Sequence, residues 1–587
     1  MVRTKLNPVD VVVIGSGVAG SIMSMELANA GLQVVCLERG RMVDPNVEFV
    51  KPFVHDELKY DRHNDFFQNL SRETITFRNH SGQTALPMRE LGSFKPGEMV
   101  GGSSALWGAQ AKRQMPFDFE MRSALTARYG EAFLPRDSTI QDWGLTWDEV
   151  EPYYDQFEHI FGVGGKAGNL NGEIQPGGSP HEGPRSREFP NPPTRRTPQG
   201  ALFADAAGEL GFVPYQFPSA AMTQDYRNLY KVMLPRCRHG GFCTSHVCAE
   251  GAKATPLTAV LPALYRQKTF QMRPLCNVTR INLDSTGKLA TGVTYIDARG
   301  DEVEQPAGLV VLAAYCFNNT RLLLLSGIGT PYDPHTGRGV VGRNYSFQTC
   351  GTVSVFFDDK DFNPFIGGGS VHTAADELLG DVLDRGPLEF VGGAVIESSN
   401  QGALPIKSKP VPAGTPRWGS EWKKAVAQYY RRTMNINLIG SCMSYRQNYL
   451  DLDPTYKDAN GLPLLRMTFD WQENERKMLT YAYERAREIA RALKASSHSA
   501  GAVPKNYSIV PYQCTHNVGG AVMGADPSTS VVNKYLQSWD VPNVFVVGGS
   551  AFPQNSSPSP TATIGMLACW AADAIKETYV RRPGQLM

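Results

Sequence analysis

The feature that most constrains the fold is a glycine-rich turn between two apolar segments near the start of the chain. Residues 10–20 read D-V-V-V-I-G-S-G-V-A-G, so β-branched residues lead directly into a G-x-G-x-x-G motif. The pattern predicts a buried strand, a helix over 21–31 and a second strand over 32–37. Glu38 follows that strand, 18 residues after Gly20. This order of elements predicts dinucleotide binding, and the alternative is an ordinary βαβ turn.

Each glycine of the motif has a mechanical role in such a unit. Gly15 permits the tight turn, Gly17 lets the backbone approach a pyrophosphate, and Gly20 lets helix and strand pack closely. The N-terminus of the helix directs unpaired N–H groups at the phosphates. Glu38 can accept hydrogen bonds from ribose hydroxyls.

Two further segments favour FAD over NAD as the dinucleotide. Residues 97–108 form a second glycine-rich stretch, and residues 541–551 have strand character before a helix that runs to about residue 579. The N-terminus of that helix would suit a reduced, anionic flavin. The predicted contacts beyond the first motif are Gly101, Gly102, Ser103, Val278, Gly549, Ser550, Ala551 and Thr561.

The charge balance excludes one large class of partners. The chain has 587 residues, with 58 Lys and Arg against 57 Asp and Glu, a net charge of +1. A protein that wraps nucleic acid needs a basic excess for the phosphates, so we expect no nucleic-acid partner. No apolar run reaches about 18 residues, which predicts no transmembrane segment. We also expect no export signal on the chain itself.

These motifs resemble the glucose-methanol-choline (GMC) flavoprotein family. Within it, the chain most resembles the flavoprotein large subunits of gluconate 2-dehydrogenase and related FAD-dependent sugar and glucoside 3-dehydrogenases. The resemblance spans nearly the whole length, over Val11–Gly20, Thr84–Gly108, Asp142–Gly164, Cys237–Pro256, Leu309–Gly329, Gly339–Tyr345, Tyr449–Trp471 and Ile509–Gly565.

The resemblance implies an α/β fold with two interleaved domains. A Rossmann-like FAD-binding domain would be assembled from residues 1–50, 85–135, 225–345 and 501–587, and would include the cysteine-rich segment 234–256. Residues 51–84 and 136–224 would be insertions that form a lid or contact a partner. Residues 346–500 would form an α+β substrate-binding domain with a largely antiparallel sheet packed by helices.

The resemblance identifies His516, within 512–520 (Y-Q-C-T-H-N-V-G-G), as the catalytic base. Neutral imidazole can take the hydroxyl proton of an alcohol while a hydride leaves the carbon. The family usually has His or Asn before the Pro-Thr of the C-terminal helix, where this chain has Ser559. We expect the second substrate contact from Ser559 itself, from Asn517 or Asn555, or from a bridging water.

The family pattern also bears on how the flavin is held. Relatives that tether FAD covalently carry a histidine before the tryptophan of the second glycine-rich stretch. Here Leu106 precedes Trp107, which predicts non-covalent FAD.

Three of the ten cysteines, Cys237, Cys243 and Cys248, lie within twelve residues. Three thiolates are the protein ligands of a three-iron, four-sulfur (3Fe-4S) cluster, whereas four would suit a cubane. The resemblance implies an iron–sulfur cluster in this segment that relays electrons from FAD. Zinc bound with His239 and His246 is the chemical alternative, and three unligated thiols are the other.

The sequence therefore predicts an FAD-dependent dehydrogenase that oxidises a hydroxyl of a sugar, glycoside or sugar acid by hydride transfer to flavin N5. Electrons would leave through the cluster to a protein acceptor. The alternatives are an FAD oxidase that uses dioxygen without a functional cluster, and a non-catalytic flavoprotein. The resemblance implies a small subunit and a cytochrome-type acceptor as partners. It also implies a periplasmic location through co-export with the small subunit, and the alternative is cytoplasmic.

Overall fold

The computed structural model describes residues 3–48, 64–90, 92–241, 243–364, 366–367, 369–400, 410–556 and 559–586. The start of the predicted insertion 51–84 lies outside these residues. No helix in the part of the chain that the structure describes is long and apolar enough to cross a membrane.

An eight-stranded mixed sheet forms the nucleotide-binding half of the molecule. Strand Val9–Ile14 lies at its centre, parallel to both Val34–Leu37 and Glu302–Leu312. Its last four residues are fully enclosed, as the continuous apolar run predicts for a parallel strand covered on both faces. The remaining strands are Arg3–Lys5, Phe270–Arg273, Asn277–Leu283, Ala290–Ile296 and Val544–Val546.

The first βαβ unit forms as its glycines require. Gly15 has a φ of 96°, and a Cβ there would meet the Ala313 carbonyl oxygen at 2.6 Å. A Cβ on Gly20 would lie 1.9 Å from the Gly15 carbonyl oxygen, so helix Val18–Asn29 can sit this close to the turn because residue 20 has no side chain. The sequence predicted the helix and the strand that follows it to within about three residues.

The second half of the molecule is built on a six-stranded sheet in which every pair is antiparallel. Helix Glu473–Ala492 packs on it through an apolar stripe that repeats at helical spacing, from Met478 to Ile489. Helix Pro198–Glu209 covers two of its strands as well. The strands, in spatial order, are Ser497–Ala500, Thr349–Phe356, Thr433–Gly440, Ala394–Ser399, His372–Ala375 and Tyr215–Gln216.

A four-stranded sheet joins segments that are far apart in sequence. Strand Ile75–Arg78 lies parallel to Pro463–Thr468, which also pairs with Tyr449–Lys457, and Leu86–Pro87 completes the sheet. Aromatic side chains such as Phe347 and Phe469 fill the core beside it. Residues 449–468 thus lie in a different sheet from the rest of 346–500.

Helix Trp147–Phe161 connects the predicted insertion 136–224 to the nucleotide-binding half. It packs against helix Thr561–Ala574 so closely that a Cβ on Gly565 would lie 2.0 Å from Phe157 Cδ2. A buried ion-pair network holds the other side of this connection: Glu158 on helix Trp147–Phe161 accepts hydrogen bonds from Arg113 and Arg185. The insertion is therefore packed into the body of the protein.

The remaining described helices are mostly short, and one of them, Cys316–Ser326, is largely buried. The helices are Pro45–Glu48, Pro116–Phe119, Met121–Tyr129, Leu261–Leu264, Cys316–Ser326 and Ser420–Tyr429. Two small hairpins pair Asn169–Leu170 with Glu173–Ile174 and Tyr226–Arg227 with Met233–Leu234. The predicted fold class, a Rossmann-like α/β unit with an antiparallel sheet packed by helices, is confirmed; the domain boundaries stay a prediction.

Candidate active site

A cavity of about 560 Å³ is lined by residues from both the nucleotide-binding half and the six-stranded sheet. Its volume is within the range of pockets that bind cofactors and small ligands. The predicted site residues that line it are Gly15, Gly17, Glu38, Gly102, Ser103, Val278, Gly549, Thr561, His516 and Asn517. Ten residues predicted from distant parts of the sequence thus meet at one cavity.

The first glycine turn forms one end of the cavity. A Cβ on Gly17 would meet no atom within 4 Å, so the backbone is open to the cavity at this point. Gly17 is also the N-cap of helix Val18–Asn29, and no side chain caps this N-terminus. Because the first N–H groups of a helix have no partner within the helix, they are available for an anion such as a pyrophosphate.

Ser16 joins the parts of this end of the cavity and was not predicted. Its backbone N–H and its hydroxyl both donate to Glu38 Oε2, at 2.9 and 2.8 Å. The Gly101 N–H in turn donates to Ser16 Oγ at 2.9 Å. The Gly40 N–H donates to the other oxygen of Glu38 at 2.8 Å. The carboxylate predicted to bind ribose is therefore held in place and keeps lone pairs for hydroxyl donors.

An ion-pair network lies beyond Glu38 at the same end. Arg39 contacts Glu73 at 2.7 Å and Glu98 at 3.3 Å. Arg321 contacts Glu73 and also pairs with Asp458 at 2.7 Å. Burial opposes the charge on Arg39, but the neighbouring carboxylates raise its pKa above the usual value. The network connects the turn after Glu38 to the helix and sheet behind the cavity.

A second helix N-terminus reaches the cavity from the C-terminal segment. Helix Thr561–Ala574 begins after Pro560 with no side-chain cap, and Pro560, Thr561 and Ile564 line the cavity. Gly102 and Ser103 begin a short 3₁₀ turn that ends at Leu106, which also lines it. The open turn at Gly17 and the two uncapped helices provide what an FAD molecule needs, so the residues present fit this cofactor.

Four predicted cofactor residues do not line the cavity and have packing roles. Gly20 permits the helix–strand contact described above, and Gly101 adopts a φ of 96° and donates to Ser16. Ser550 accepts a hydrogen bond from Asn319 Nδ2 at 2.9 Å, and Ala551 is buried. These residues shape the loops whose neighbours reach the cavity.

His516 has the geometry of a base. Its Nδ1 is hydrogen-bonded to the side-chain oxygen of Gln348, which fixes Nδ1 as the protonated nitrogen. No described residue hydrogen-bonds to its Nε2, and the half-buried ring lines the cavity. Burial lowers the pKa of His516 from 6.5 to about 4. The imidazole is therefore neutral at physiological pH and can accept a proton.

Asn517 is held between two tyrosines. Its side-chain oxygen accepts from the Tyr345 hydroxyl at 2.6 Å, and its Nδ2 donates to the Tyr315 hydroxyl at 2.5 Å. Tyr315 has a φ of 78°, a strained value for a residue with a side chain. Such strain is kept where the surroundings over-determine the conformation, as at functional sites. Asn517 lines the cavity, but its amide is already engaged on both sides.

Ser559 and Asn555 are buried and hydrogen-bonded to backbone carbonyls. The Ser559 hydroxyl donates to the Gln110 backbone carbonyl at 3.0 Å and is buried. Asn555 is fully buried, and its Nδ2 donates to the Phe347 carbonyl. Neither is among the residues that line the cavity.

A polar cluster on the six-stranded sheet faces the cavity instead. Glu397 accepts from Gln110 Nε2 at 3.0 Å and from His372 Nδ1 at 3.2 Å. The other ring nitrogen of His372 lies 3.2 Å from the Gly369 carbonyl oxygen. Burial by itself would lower the pKa of His372, but the adjacent Glu397 carboxylate raises it above its usual value. All three side chains of the cluster line the cavity.

The predicted metal site is not formed in the cysteine segment. No three His, Cys, Asp or Glu side chains among the described residues come together as a group that could hold a metal ion. Cys237 and Cys243 line a separate cavity of about 10 Å³, whereas Cys248 is not among its lining residues. Because that volume holds about one water molecule, the loop as it stands does not fit a cluster.

Lys253 connects the cysteine loop to the second glycine-rich stretch, residues 97–108. Its buried ammonium donates to the carbonyls of Trp107 and Cys243 at 2.7 Å and of His246 at 2.8 Å. Burial lowers the pKa of Lys253 to about 8, and it raises the pKa of Cys237 to about 11. The Cys237 thiol is therefore protonated at neutral pH in this arrangement.

Residues missed by sequence reasoning share one property. They reach the site from elements that no local motif marks, and their partners are far away in the chain. They are Ser16, Gln110, Lys253, Tyr315, Tyr345, Gln348, His372 and Glu397. Ser16 and Lys253 are the exceptions with a signal, because Ser16 lies inside the glycine motif and Lys253 lies inside the cysteine-rich segment, near its partners Cys243 and His246.

Comparisons with known proteins agree with this architecture. Two family models described as GMC oxidoreductase match residues 136–350 and 444–568, and a model described as FAD binding domain matches residues 10–46. The gluconate 2-dehydrogenase flavoprotein of Pantoea cypripedii is 44% identical over 100% of this chain and 96% of its own length. The fructose dehydrogenase large subunit of Gluconobacter japonicus is 25% identical over 96% of this chain and 97% of its own.

The fold comparison points the same way. The crystal structure of pyridoxine 4-oxidase from Mesorbium loti covers 97% of this chain and 99% of its own with a TM-score of 0.60, at 17% identity. The family models and the full-length relative at 44% identity identify an FAD-dependent oxidoreductase that acts on CH–OH groups. The chain belongs to the GMC oxidoreductase family.

Proposed function

We propose that the protein oxidises a hydroxyl of a sugar, glycoside or sugar acid to a carbonyl. The observation that carries this proposal is His516, whose neutral imidazole presents Nε2 to the cavity that fits FAD. The substrate class is supported by the polar lining contributed by the sheet and by the names of the two sugar and sugar-acid dehydrogenase relatives.

The proposed reaction removes a hydride from the carbon and a proton from its hydroxyl group, and each goes to a different acceptor. Bound FAD supplies the acceptor at N5 for the hydride that leaves the carbon. His516 Nε2 takes the hydroxyl proton, so the C–H and O–H bonds break, a C=O bond forms, and two electrons leave the substrate.

The residues around His516 prepare it for this step. Gln348 accepts the Nδ1 hydrogen and so keeps the lone pair on Nε2. Tyr315 and Tyr345 fix the Asn517 side chain, which adjoins His516 in the sequence. Because both ends of that amide are engaged, Asn517 positions the histidine loop rather than binding substrate.

We propose that FAD is bound without a covalent link. The support is Leu106, which lies at the cavity where a tethering relative would have a histidine, and whose side chain cannot form such a bond. Acid precipitation should release all of the flavin into the supernatant. Flavin that stays with the precipitated protein would contradict this.

The path by which electrons leave remains a prediction. The spacing of Cys237, Cys243 and Cys248 and the link from Cys243 to Trp107 through Lys253 support an iron–sulfur cluster, but the loop would have to open to hold one. Iron and acid-labile sulfide analysis, with electron paramagnetic resonance in both redox states, tests this. Absence of iron and of any such signal would leave the second candidate, an oxidase that uses dioxygen, which the closed loop favours.

The partners and location are proposed on the same basis. A relative named as a large subunit supports a complex with a small subunit. A cytochrome-type acceptor stays a prediction from the family resemblance. We propose that such a subunit carries the chain to the periplasm. Cell fractionation with and without the co-expressed small subunit tests this, and a cytoplasmic location under both conditions would contradict it.

The direct test of the proposed function is anaerobic spectroscopy with a sugar panel. We expect the visible flavin absorbance of the purified protein to bleach when a sugar, glycoside or sugar acid is added without oxygen. Full absorbance after addition of every member of the panel would overturn the proposal.

A further inference from the structure

The polar cluster of Gln110, His372 and Glu397 has its hydrogen-bond donors already occupied. Both ring nitrogens of His372 face acceptors, Glu397 Oε1 and the Gly369 carbonyl, at 3.2 Å each. When both ring nitrogens carry hydrogen, each donates to one of these acceptors and no N–H is left for a substrate. The raised pKa of His372 agrees with this protonation state.

Glu397, in contrast, has unused acceptor capacity. A carboxylate can accept at about four lone-pair positions. Oε2 accepts from Gln110 and Oε1 from His372, and we find no other hydrogen bond to this side chain within the described residues. The charged group that the cluster offers to the cavity is therefore an acceptor.

Neighbouring strands extend this acceptor into a polar row. Asn437 is the direct cross-strand partner of both Glu397 and Thr352, and all three line the cavity. Ser399, two residues after Glu397 and hence on the same face of the strand, accepts from Asn437 Nδ2 at 2.8 Å. Such a row suits a ligand that carries several hydroxyl groups.

Ser559 connects the polar cluster to the segment that leads into helix Thr561–Ala574. The Ser559 hydroxyl holds the Gln110 backbone, and the Gln110 side chain holds Glu397. Ser559 lies two residues before the helix whose N-terminus reaches the cavity, and His516 is hydrogen-bonded to Gln348, the residue before strand Thr349–Phe356. A substrate in this part of the cavity would meet His516 from a loop and Glu397 from strand Ala394–Ser399.

We propose that Glu397 is a specificity-determining residue that binds hydrogen-bond donors of the substrate, and that the site therefore selects neutral polyhydroxy compounds over sugar acids at this position. Ser559 is a positioning residue in this arrangement, since it acts through Gln110. The inference rests on the proposed function and narrows its substrate class.

The test compares neutral probes with their carboxylate counterparts in anaerobic flavin reduction. The pairs are D-glucitol with D-gluconate and D-glucose with D-glucuronate, and each is measured with the wild-type holoenzyme and with Glu397→Gln. The substituted amide must turn its NH₂ towards Gln110 or His372, so one hydrogen bond and the charge are lost. We expect the KM of the neutral probes to rise about tenfold to a hundredfold, with a smaller change in kcat.

Two further variants separate recognition from folding. Glu397→Asp keeps the charge but shortens the side chain, and should keep the order of preference. Glu475→Gln removes another buried carboxylate that bonds to Met443 and Tyr445 and does not line the cavity. This control should lower the melting temperature without changing the ratio of neutral to acid probes.

The outcomes distinguish the two proposals. If no probe bleaches the wild-type flavin, the proposed function fails, and the inference fails with it. If the probes do reduce the flavin but the carboxylate counterparts are preferred, or Glu397→Gln leaves the ratio of neutral to acid probes unchanged, the role of Glu397 is overturned while the proposed function stands.

Discussion

At the scale of single residues, the proposed chemistry depends on a histidine that burial keeps neutral. An isolated imidazole titrates near 6.5, whereas His516 has a pKa of about 4 because its charged form is poorly solvated. Its Nδ1–H is bonded to Gln348, so the free lone pair lies on Nε2. Both effects favour a proton acceptor throughout the neutral range.

The depressed pKa predicts the pH profile of the reductive half-reaction. Because the neutral form is active and dominates above about pH 4, kcat/KM for flavin reduction should be level at neutral pH. Below about pH 4, kcat/KM should fall about tenfold per pH unit. Anaerobic stopped-flow measurements across the acid range would check this, and an acid limb near pH 6.5 would contradict it.

The Gln348→Glu variant tests the cause of that profile. A carboxylate at this position would stabilise the imidazolium, so the acid limb should move to higher pH. An unchanged limb in this variant, with flavin content intact, would show that the titrating group is not His516.

We expect Ser559 to act through Gln110, whose backbone carbonyl it holds. Ser559→Ala leaves the Gln110 carbonyl without its donor, which costs about 1 kcal/mol of unfolding free energy. We expect kcat to fall by less than tenfold and Ser559→Thr, which keeps the hydroxyl, to restore it. A loss of a hundredfold or more in kcat at an unchanged melting temperature would instead assign Ser559 a direct role.

At the scale of elements, substitutions of Gly17 and Gly20, at the first turn of helix Val18–Asn29, should affect FAD binding and folding separately. A Cβ on Gly17 meets nothing within 4 Å but enters the space for the pyrophosphate, whereas a Cβ on Gly20 overlaps the Gly15 carbonyl. Gly17→Ala should therefore fold normally and lose FAD affinity. Gly20→Ala should lower the melting temperature of the protein even without FAD.

A third glycine provides the control for that comparison. Gly208 lies in helix Pro198–Glu209, a Cβ there would meet no atom within 4 Å, and the residue does not line the cavity. Gly208→Ala should keep FAD and be slightly more stable, by up to about 1 kcal/mol. Equal loss of flavin in all three variants, measured by absorbance and by calorimetry of the apoprotein, would refute the separate roles.

The sequence predicted well those elements whose signals are local. The first βαβ unit is a continuous segment in which strand, turn and helix each have a pattern, so its glycines and Glu38 could be assigned. The cysteine segment could not be settled in the same way: three thiols are close in sequence, but within the described residues the loop does not gather them into a metal site. Sequence spacing shows that the three cysteines are close along the chain, but it does not predict where each side chain points.

At the scale of the whole molecule, buried charges hold the segments together. Glu158 lies between Arg113 and Arg185, and it is fully buried with a pKa of about 2: burial opposes its charge, but the two arginines outweigh it. Arg113 follows the second glycine-rich stretch (residues 97–108), and Arg185 lies in the segment 136–224. The network thus joins the predicted insertion to the cofactor site.

This predicts a large effect from a single neutral substitution. Glu158→Gln leaves two buried arginines undercompensated and should lower the unfolding free energy by about 3–5 kcal/mol. The matched control is Glu484→Gln, which breaks an exposed pair with Arg487 and should cost less than about 1 kcal/mol. Equal melting temperatures for the two variants would contradict the role of the buried network.

The parts of the site that escaped prediction are those assembled by the whole fold. His516 was identified by resemblance, but Gln348, which sets its tautomer, lies 168 residues earlier in the chain. Glu397 and Gln110 are 287 residues apart and meet through sheet pairing and loop packing. Such pairs follow from strand register across the molecule, and no local pattern in the sequence encodes that.

The most direct test of the account is the rate of anaerobic flavin reduction in His516→Asn beside wild type. Asparagine keeps a polar side chain but cannot take the proton, so reduction by an active sugar should slow about a hundredfold to ten-thousandfold while flavin content stays the same. Substitution of the exposed His498 by Asn is the control and should change nothing. Reduction of the His516→Asn flavin at the wild-type rate would contradict the assignment of His516 as the base.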